Sequence, residues 1–198
     1  MIHVYGVVDE LRELPPLEGV DGAPLERRCV DELELVVSNR PGVDVTQDAV
    51  LRHAAVVEEL MSRSRGVLPA QFGPPFGDED DFATAIRTKA DELSRGLSRV
   101  RGCVEFGLRI AQPTNRPEAA SGSEYMRARL EQERVLARIE EPLANLSRAT
   151  SSNRDYLVPT ENVAAFRRAV EHLQADHPEL TIVCTGPWPP YSFGADGA

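Results

Sequence analysis

In the segment "CVEFGLRIA", residues 103–111, large apolar residues occupy every second position from Val104 to Ile110. A period of two residues predicts a β-strand with one buried face, because successive side chains of a strand point to opposite sides. The two predicted faces are Val104, Phe106, Leu108 and Ile110 on the buried side, and Glu105, Gly107 and Arg109 on the other.

The chain after this strand repeats a rhythm of helix and strand. We expect a long helix over about 123–148, kinked by Pro142, then a strand in "NRDYLVP" at 153–159. Thr160 is expected to cap a further helix, and "LTIVCTG" at 180–186 is the last strand. This order predicts a sheet with helices on one face, which is a modified ferredoxin-like fold.

The N-terminal half contains a second set of strands and helices. "IHVYGVV" at 2–8 predicts a strand in which Ile2, Val4 and Val8 share one face, and "LERRCVDELELVVSN" at 25–39 predicts one or two more. The remaining elements are a helix from an N-cap at Thr46 to about Arg63 and a second helix from the acidic run at 78–81 to about Arg99.

These patterns predict an α+β protein built from two small α/β domains. We expect an N-terminal α+β domain at residues 1–97 and a C-terminal modified ferredoxin-like domain at residues 98–198, with the boundary near residue 98.

The charge balance opposes several classes of partner. The 198 residues include 22 basic and 32 acidic ones, a net charge of −10, whereas binding to nucleic acid or to anionic lipid needs a basic surface. The chain has one lysine, Lys89, and it does not follow a glycine, which excludes a Walker-type phosphate loop. Since no apolar run approaches the roughly 20 residues of a membrane span, we expect a cytoplasmic protein.

Residues that carry enzyme chemistry are present but scattered. His172 and His177 flank one helix end, yet their spacing places the two imidazoles on different faces, so we expect surface histidines rather than zinc ligands. His53 is expected to be a packed histidine, and Glu105 with Arg109 could form an ion pair. We therefore predict no catalytic site, no metal, no cofactor and no small-molecule substrate.

Two loops stand out because they are rich in aromatic residues. These are "LPAQFGPPF" at 68–76 and "GPWPPYSF" at 186–193, the second of which cannot continue as an interior strand because its prolines lack an N–H donor. The second loop either packs as a staple across its own domain or binds another protein. The candidate partner-binding residues are Phe72, Phe76, Trp188, Tyr191 and Phe193.

Seven segments in order make the sequence similar to the gas vesicle protein family of the GvpF/GvpL type. The most specific is the last, because three prolines around a tryptophan rarely recur by chance. Gln71 departs from the family, since the resemblance leads us to expect a basic residue there. The segments are "VYGVV" at 4–8, "HAAVVEELM" at 53–61, "VLPAQFG" at 67–73, "VEFGLRI" at 104–110, "SGSEYMRARL" at 121–130, "DYLVPTENVAAFRRAV" at 155–170 and "TGPWPPYSF" at 185–193.

The resemblance implies a non-enzymatic accessory protein of gas vesicles, the hollow protein shells that give some microbes buoyancy. Members of this family are minor vesicle components or assembly factors that hold the very hydrophobic, GvpA-type shell protein soluble. The expected partners are this shell protein and other vesicle accessory proteins, in the cytoplasm and at the gas vesicle.

Two alternatives stay open at this point. A ferredoxin-like domain could bind RNA or a nucleotide, although the net charge of −10 argues against it. A small metal-dependent hydrolase could use His172, His177 or Glu105.

Overall fold

The first four strands of the chain form one antiparallel sheet. The structure is a computed structural model that describes residues 1–40, 42, 44–111 and 121–194. In this sheet the strand order is β2-β3-β1-β4, and all neighbours are antiparallel. The strands are β1 (Ile2–Asp9), β2 (Leu25–Val30), β3 (Leu33–Asn39) and β4 (Gly66–Pro69).

A β-bulge in β1 changes which residues share a face. Val4 pairs with Val37 of β3, but Gly6 pairs with the next residue, Val36, so the register shifts by one residue between them. An extra residue in one strand reverses the alternation of side chains beyond it. The prediction that Val8 shares a face with Ile2 and Val4 is therefore wrong.

Helix α1 (Gln47–Arg63) covers one face of this sheet. It begins as predicted, because the Thr46 hydroxyl accepts a hydrogen bond from the Ala49 N–H at 3.1 Å. The side chains of α1 that face the sheet pack into one apolar core with residues of three strands. This core includes Ala49, Val56, Val57 and Leu60 of α1 with Tyr5, Val8, Val36 and Val67 of the strands.

Two shorter helices, α2 (Glu79–Thr88) and α3 (Ala90–Val100), cover the opposite face. Leu68 follows Val67 in β4, so its side chain points away from α1, and it lies against Gly96 of α3. The prediction of one helix running to Arg99 is wrong. Lys89, with φ −107° and ψ 10°, interrupts it, and no glycine or proline marks the break.

The second sheet has the element order of a ferredoxin-like fold, β-α-β-β-α-β, and the strand order β6-β7-β5-β8. The predicted α+β class is confirmed. The two-residue strand β6 is too short to show a periodicity, so the sequence did not predict it. The elements are β5 (Cys103–Ala111), α4 (Gly122–Asn145), β6 (Ala149–Thr150), β7 (Asp155–Pro159), α5 (Val163–Asp176) and β8 (Thr181–Trp188).

Three aromatic rings show that α4 and α5 lie on the same face of the second sheet. The Phe166 ring of α5 stacks on Phe106 of β5 at 4.9 Å between centroids and lies 5.4 Å from Tyr156 of β7. The Tyr156 hydroxyl donates to the Glu140 carboxylate of α4 at 3.1 Å. Thr160 does not cap α5 as predicted, because a 3-10 turn precedes the helix.

The chain packs as two compact units. The first comprises Met1–Glu105 and Pro187–Ala198, of which the last four residues lie outside the described part, and the second comprises Phe106–Gly186. The predicted domain boundary near residue 98 stays a prediction, because a packing unit is not a demonstration of independent folding. Within the described residues, no helix has the length and apolar character of a membrane span.

Candidate partner-binding site

The chain ends in a segment that packs with the N-terminal residues. We call residues 187–194 the C-terminal strap. The strap contains three prolines and closes in a 3-10 turn at Tyr191–Phe193. It belongs to the first unit, although its residues follow directly after the second. The predicted staple thus exists, and it is fastened to residues of the first unit.

Three polar contacts and one buried ring anchor the strap. The Ser192 backbone N–H and hydroxyl each donate to the Glu105 carboxylate at 2.8 Å. The Arg99 guanidinium of α3 donates to the Phe193 carbonyl at 3.4 Å, and the Phe193 side chain is buried. Hydrogen bonds to a charged acceptor are stronger than neutral ones, so Glu105 fixes the turn of the strap.

A glycine in the middle of α3 makes room for the strap. A Cβ atom at Gly96 would stand 2.7 Å from the Gly194 carbonyl oxygen, which is closer than a real Cβ comes to any atom. Glycine in a helix interior costs about 0.5–1 kcal/mol relative to alanine, so its presence calls for a packing reason. The close approach of the Gly194 backbone is that reason.

The strap leaves two of its aromatic side chains exposed. Trp188 is 46% exposed and Tyr191 is 37% exposed, while Phe193 is 6% exposed. Together with residues of α1 they line an open groove of about 350 Å³, which we call the aromatic groove. Its lining residues are Ala54, Glu58, Glu105, Trp188, Pro189 and Tyr191.

Burial and a nearby carboxylate both raise the pKa of the tyrosine in the groove. Burial of the phenol raises the pKa of Tyr191 to about 12, and the negative charge of Glu58 contributes to this increase. The Tyr191 hydroxyl therefore remains a hydrogen-bond donor at neutral pH. The sequence did not single out Glu58, because an exposed glutamate on the outer face of a helix has no distinguishing pattern.

The other two candidate residues lie in the loop after β4, away from the exposed pair. The half-buried Phe72 ring packs 5.3 Å from His3 and 5.6 Å from His53. Phe76 packs edge-on against Phe82 of α2 at 5.7 Å, and its backbone forms a β-bridge with Ile2. The five candidate residues therefore occupy three places in the first unit, and only Trp188 and Tyr191 form an exposed pair.

An apolar cavity of about 250 Å³ lies next to Phe76, between the first sheet and the helices α2 and α3. Val7, Leu35, Leu68 and Ile86 contribute to its walls. These side chains provide no charged group that would select a ligand.

Two buried histidines, His3 of β1 and His53 of α1, form a hydrogen-bonded pair. The His3 Nε2 and His53 Nδ1 atoms are 2.9 Å apart, and His53 Nε2 is 2.9 Å from the Ala70 carbonyl. A carbonyl only accepts, so His53 donates from Nε2 and accepts from His3 at Nδ1. Burial lowers the pKa of His53 and lowers that of His3 to about 4, so both rings are neutral at pH 7. The prediction of a packed His53 is confirmed.

The remaining candidates for chemistry do not come together. His172 is exposed, and His177 Nδ1 lies 3.1 Å from the Glu179 carboxylate. Arg109 approaches Asp155 at 3.7 Å, and the Glu105 carboxylate accepts two hydrogen bonds from Ser192. In the described part of the chain, no three histidine, cysteine or acidic side chains cluster as metal ligands would.

Comparison with known proteins agrees with this architecture. Two crystal structures share the fold: GvpF from Microcystis aeruginosa, with a TM-score of 0.74 over 98% of both chains, and GvpF from Anabaena sp., with a TM-score of 0.72 over 100% of this chain and 97% of that one. Sequence identity to each is 17%, so this likeness concerns the fold.

Sequence relatives match most of this chain. Gas vesicle protein F1 of Halobacterium salinarum is 29% identical over 97% of this chain and 92% of its own, and gas vesicle protein L of a Streptomyces species is 25% identical over 90% and 76%. The family model described as gas vesicle synthesis protein GvpL/GvpF matches residues 1–152 and 114–195. The chain therefore belongs to the gas vesicle synthesis protein family GvpL/GvpF.

Proposed function

We propose that this chain is a non-enzymatic accessory protein that binds the hydrophobic, GvpA-type shell protein of gas vesicles and helps its assembly. The names of its relatives, gas vesicle proteins F and L, support a role in gas vesicle formation. The partner and the contact surface are inferred from the aromatic groove. Other vesicle accessory proteins are further partners in this proposal, and its place of action is the cytoplasm and the gas vesicle.

The observation that carries the proposal is the exposure of Trp188 and Tyr191 on an anchored segment. Tryptophan and tyrosine dominate the binding energy of protein interfaces, and an aromatic side chain held rigid loses little entropy on binding. Of the five candidate residues, this pair makes the contact in our proposal. Phe193 supports it by holding the strap, and Phe72 and Phe76 support it by packing the loop after β4.

The negative net charge of the chain suits a protein that binds an aggregation-prone partner. A net charge of −10 keeps protein molecules apart in solution, and a complex with an apolar partner would share this repulsion. In this proposal the groove contacts the apolar partner, while the net charge keeps the complex dispersed.

The structure offers little support for the alternative functions. Ferredoxin-like RNA binders stack bases on exposed sheet aromatics, but Phe106 of β5 lies beneath Phe166 of α5. For a hydrolase, Glu105 would have to act as a base, but its carboxylate already accepts two hydrogen bonds from Ser192. The first observation disfavours RNA binding, and the second disfavours catalysis by Glu105.

Co-expression with the shell protein tests the proposal. We expect the wild-type chain to keep shell protein in the soluble fraction and to co-purify with it. We expect the double variant Trp188→Ala/Tyr191→Ala to fold and to lose most of this effect. The matched control is Tyr125→Ala/Met126→Ala, which removes two exposed apolar side chains from α4. A wild-type chain that leaves the shell protein insoluble would contradict the proposal.

A further inference from the structure

The outer face of α1 extends the aromatic groove with an apolar residue and ends it with an acidic one. Leu51, Ala54 and Glu58 lie three and four residues apart, which places them on one face of the helix over a length of about 10 Å. Leu51 is 60% exposed, and Ala54 and Glu58 line the groove beside the strap. The groove therefore has an aromatic wall, an apolar stretch along α1 and the Glu58 carboxylate at the end of that stretch. Its second carboxylate, Glu105, accepts hydrogen bonds from Ser192.

The Glu58 carboxylate is available for a partner. Its neighbour Glu59 is paired with Arg63 at 2.9 Å, but in the part of the chain that the structure describes Glu58 has no such cation. The sequence of the first unit adds to the negative potential, because residues 1–105 and 187–198 contain 21 acidic and 12 basic residues. A cation that enters the groove is attracted by both.

The aromatic wall favours the same kind of ligand. The faces of tryptophan and tyrosine rings carry negative charge density, so an arginine or lysine side chain binds there by a cation–π interaction. Such a side chain also packs its aliphatic part against rings and projects its charge beyond them. Trp188 and Tyr191 would hold the aliphatic part and Glu58 would pair with the charge.

We propose that the aromatic groove recognises a partner segment in which an arginine or lysine is flanked by apolar residues. The cation lies against Trp188 and Tyr191 and pairs with Glu58, and an apolar neighbour packs on Leu51 and Ala54. The identity of the partner as the shell protein rests on the proposed function, whereas the chemistry of the segment rests on the groove. The apolar surface of Leu51 and Ala54 extends along α1 beside the groove. This length fits a polypeptide segment better than a small cation.

A peptide titration tests the site directly, because Trp188 is the only tryptophan and its fluorescence reports on the groove. The probe is a tryptophan-free amphipathic peptide of about 14 residues, built from leucine and alanine around one arginine. We expect saturable binding with a change in Trp188 emission. We expect affinity about fivefold lower when glutamine replaces the peptide's arginine, and lower at high salt.

Reversing the charges of Glu58 and of the peptide distinguishes the proposed ion pair from non-specific hydrophobic binding. Glu58→Gln should weaken the arginine peptide about fivefold, and Glu58→Arg should prefer a peptide with glutamate in place of the arginine. The control Glu59→Gln makes the same charge change one residue along α1 and should leave affinity unchanged. If Glu58→Gln, Glu58→Arg and Glu59→Gln all bind the arginine peptide and the glutamate peptide with equal affinity, the inference is overturned.

Co-purification of the shell protein with the Glu58 variants keeps the two proposals distinguishable. If the wild-type and Glu58→Arg chains retain shell protein equally, the inference fails and the proposed function stands. If the wild-type chain retains none but the peptide titration depends on Glu58, the proposed function fails and the inference stands.

Discussion

Gly96 lies in the middle of α3, where the Gly194 carbonyl of the strap approaches the helix. Replacing it by alanine adds helix propensity worth up to about 1 kcal/mol, but the new Cβ would stand 2.7 Å from that oxygen. We expect the displacement of the strap to outweigh the gain, so that Gly96→Ala lowers the free energy of unfolding by about 1–2 kcal/mol. Urea unfolding measures this change, and limited proteolysis with mass spectrometry locates it in the strap.

Gly122 provides the control for this prediction. It is the first residue of α4, and a Cβ there meets no atom within 4 Å. Gly122→Ala should leave stability unchanged or raise it slightly. If Gly96→Ala proves as stable and as resistant to protease as the wild type, the strap does not need the glycine.

The buried pair of His3 and His53 makes the first unit sensitive to acid. Burial lowers the pKa of His3 from 6.5 to about 4, so between these values the unfolded chain binds a proton that the folded chain excludes. The contribution of neutral His3 to the free energy of unfolding is therefore fully present above pH 6.5 and is lost as the pH drops toward 4. For His3 the expected loss between pH 7.5 and pH 5 is about 2 kcal/mol, measured by urea unfolding at both pH values.

Burial also lowers the pKa of His53, so the test is a comparison of variants. His3→Phe should show a loss between pH 7.5 and 5 that is smaller than that of the wild type by about 2 kcal/mol. His172→Gln removes an exposed histidine and should keep the wild-type loss. A His3→Phe chain that loses as much stability as the wild type would show that this residue is not the origin.

At the scale of elements, the strap depends on the turn that Ser192 makes with Glu105. Ser192→Ala removes the hydroxyl donor to the carboxylate and should destabilise the strap by about 1–2 kcal/mol. Hydrogen exchange at the strap amides should then be faster than in the wild type, while exchange in β1 should stay the same. Ser192→Thr retains a hydroxyl and should restore most of the protection. Unchanged exchange in Ser192→Ala would mean that the strap does not need the hydroxyl contact with Glu105.

The elements that the sequence predicted are those whose periodicity is local. The alternation in residues 103–111 predicted β5, and the stripe after Thr46 predicted α1 with its cap. The bulge in β1 and the break at Lys89 were not predicted, because each is fixed by packing against other elements. The partner of the strap was not predicted for the same reason, since Phe193 and Arg99 are 94 residues apart.

At the scale of the whole molecule, the sequence identified the aromatic strap but not the rest of the groove. Trp188 and Tyr191 stood out because aromatic residues between prolines are unusual. Ala54 and Glu58 did not, because they belong to a helix that is distant in sequence and look like ordinary outer-face residues. The groove forms only when the C-terminal strap packs with the other residues of the first unit.

The central claim is that the shell protein contacts the surface around Trp188. Fluorine NMR of the chain labelled with 5-fluorotryptophan tests it, because a chain with one tryptophan gives one resonance. In the complex co-purified with unlabelled shell protein, we predict that this resonance shifts or broadens relative to the free chain. A complex that forms while the Trp188 resonance keeps its free position and width would contradict the claim.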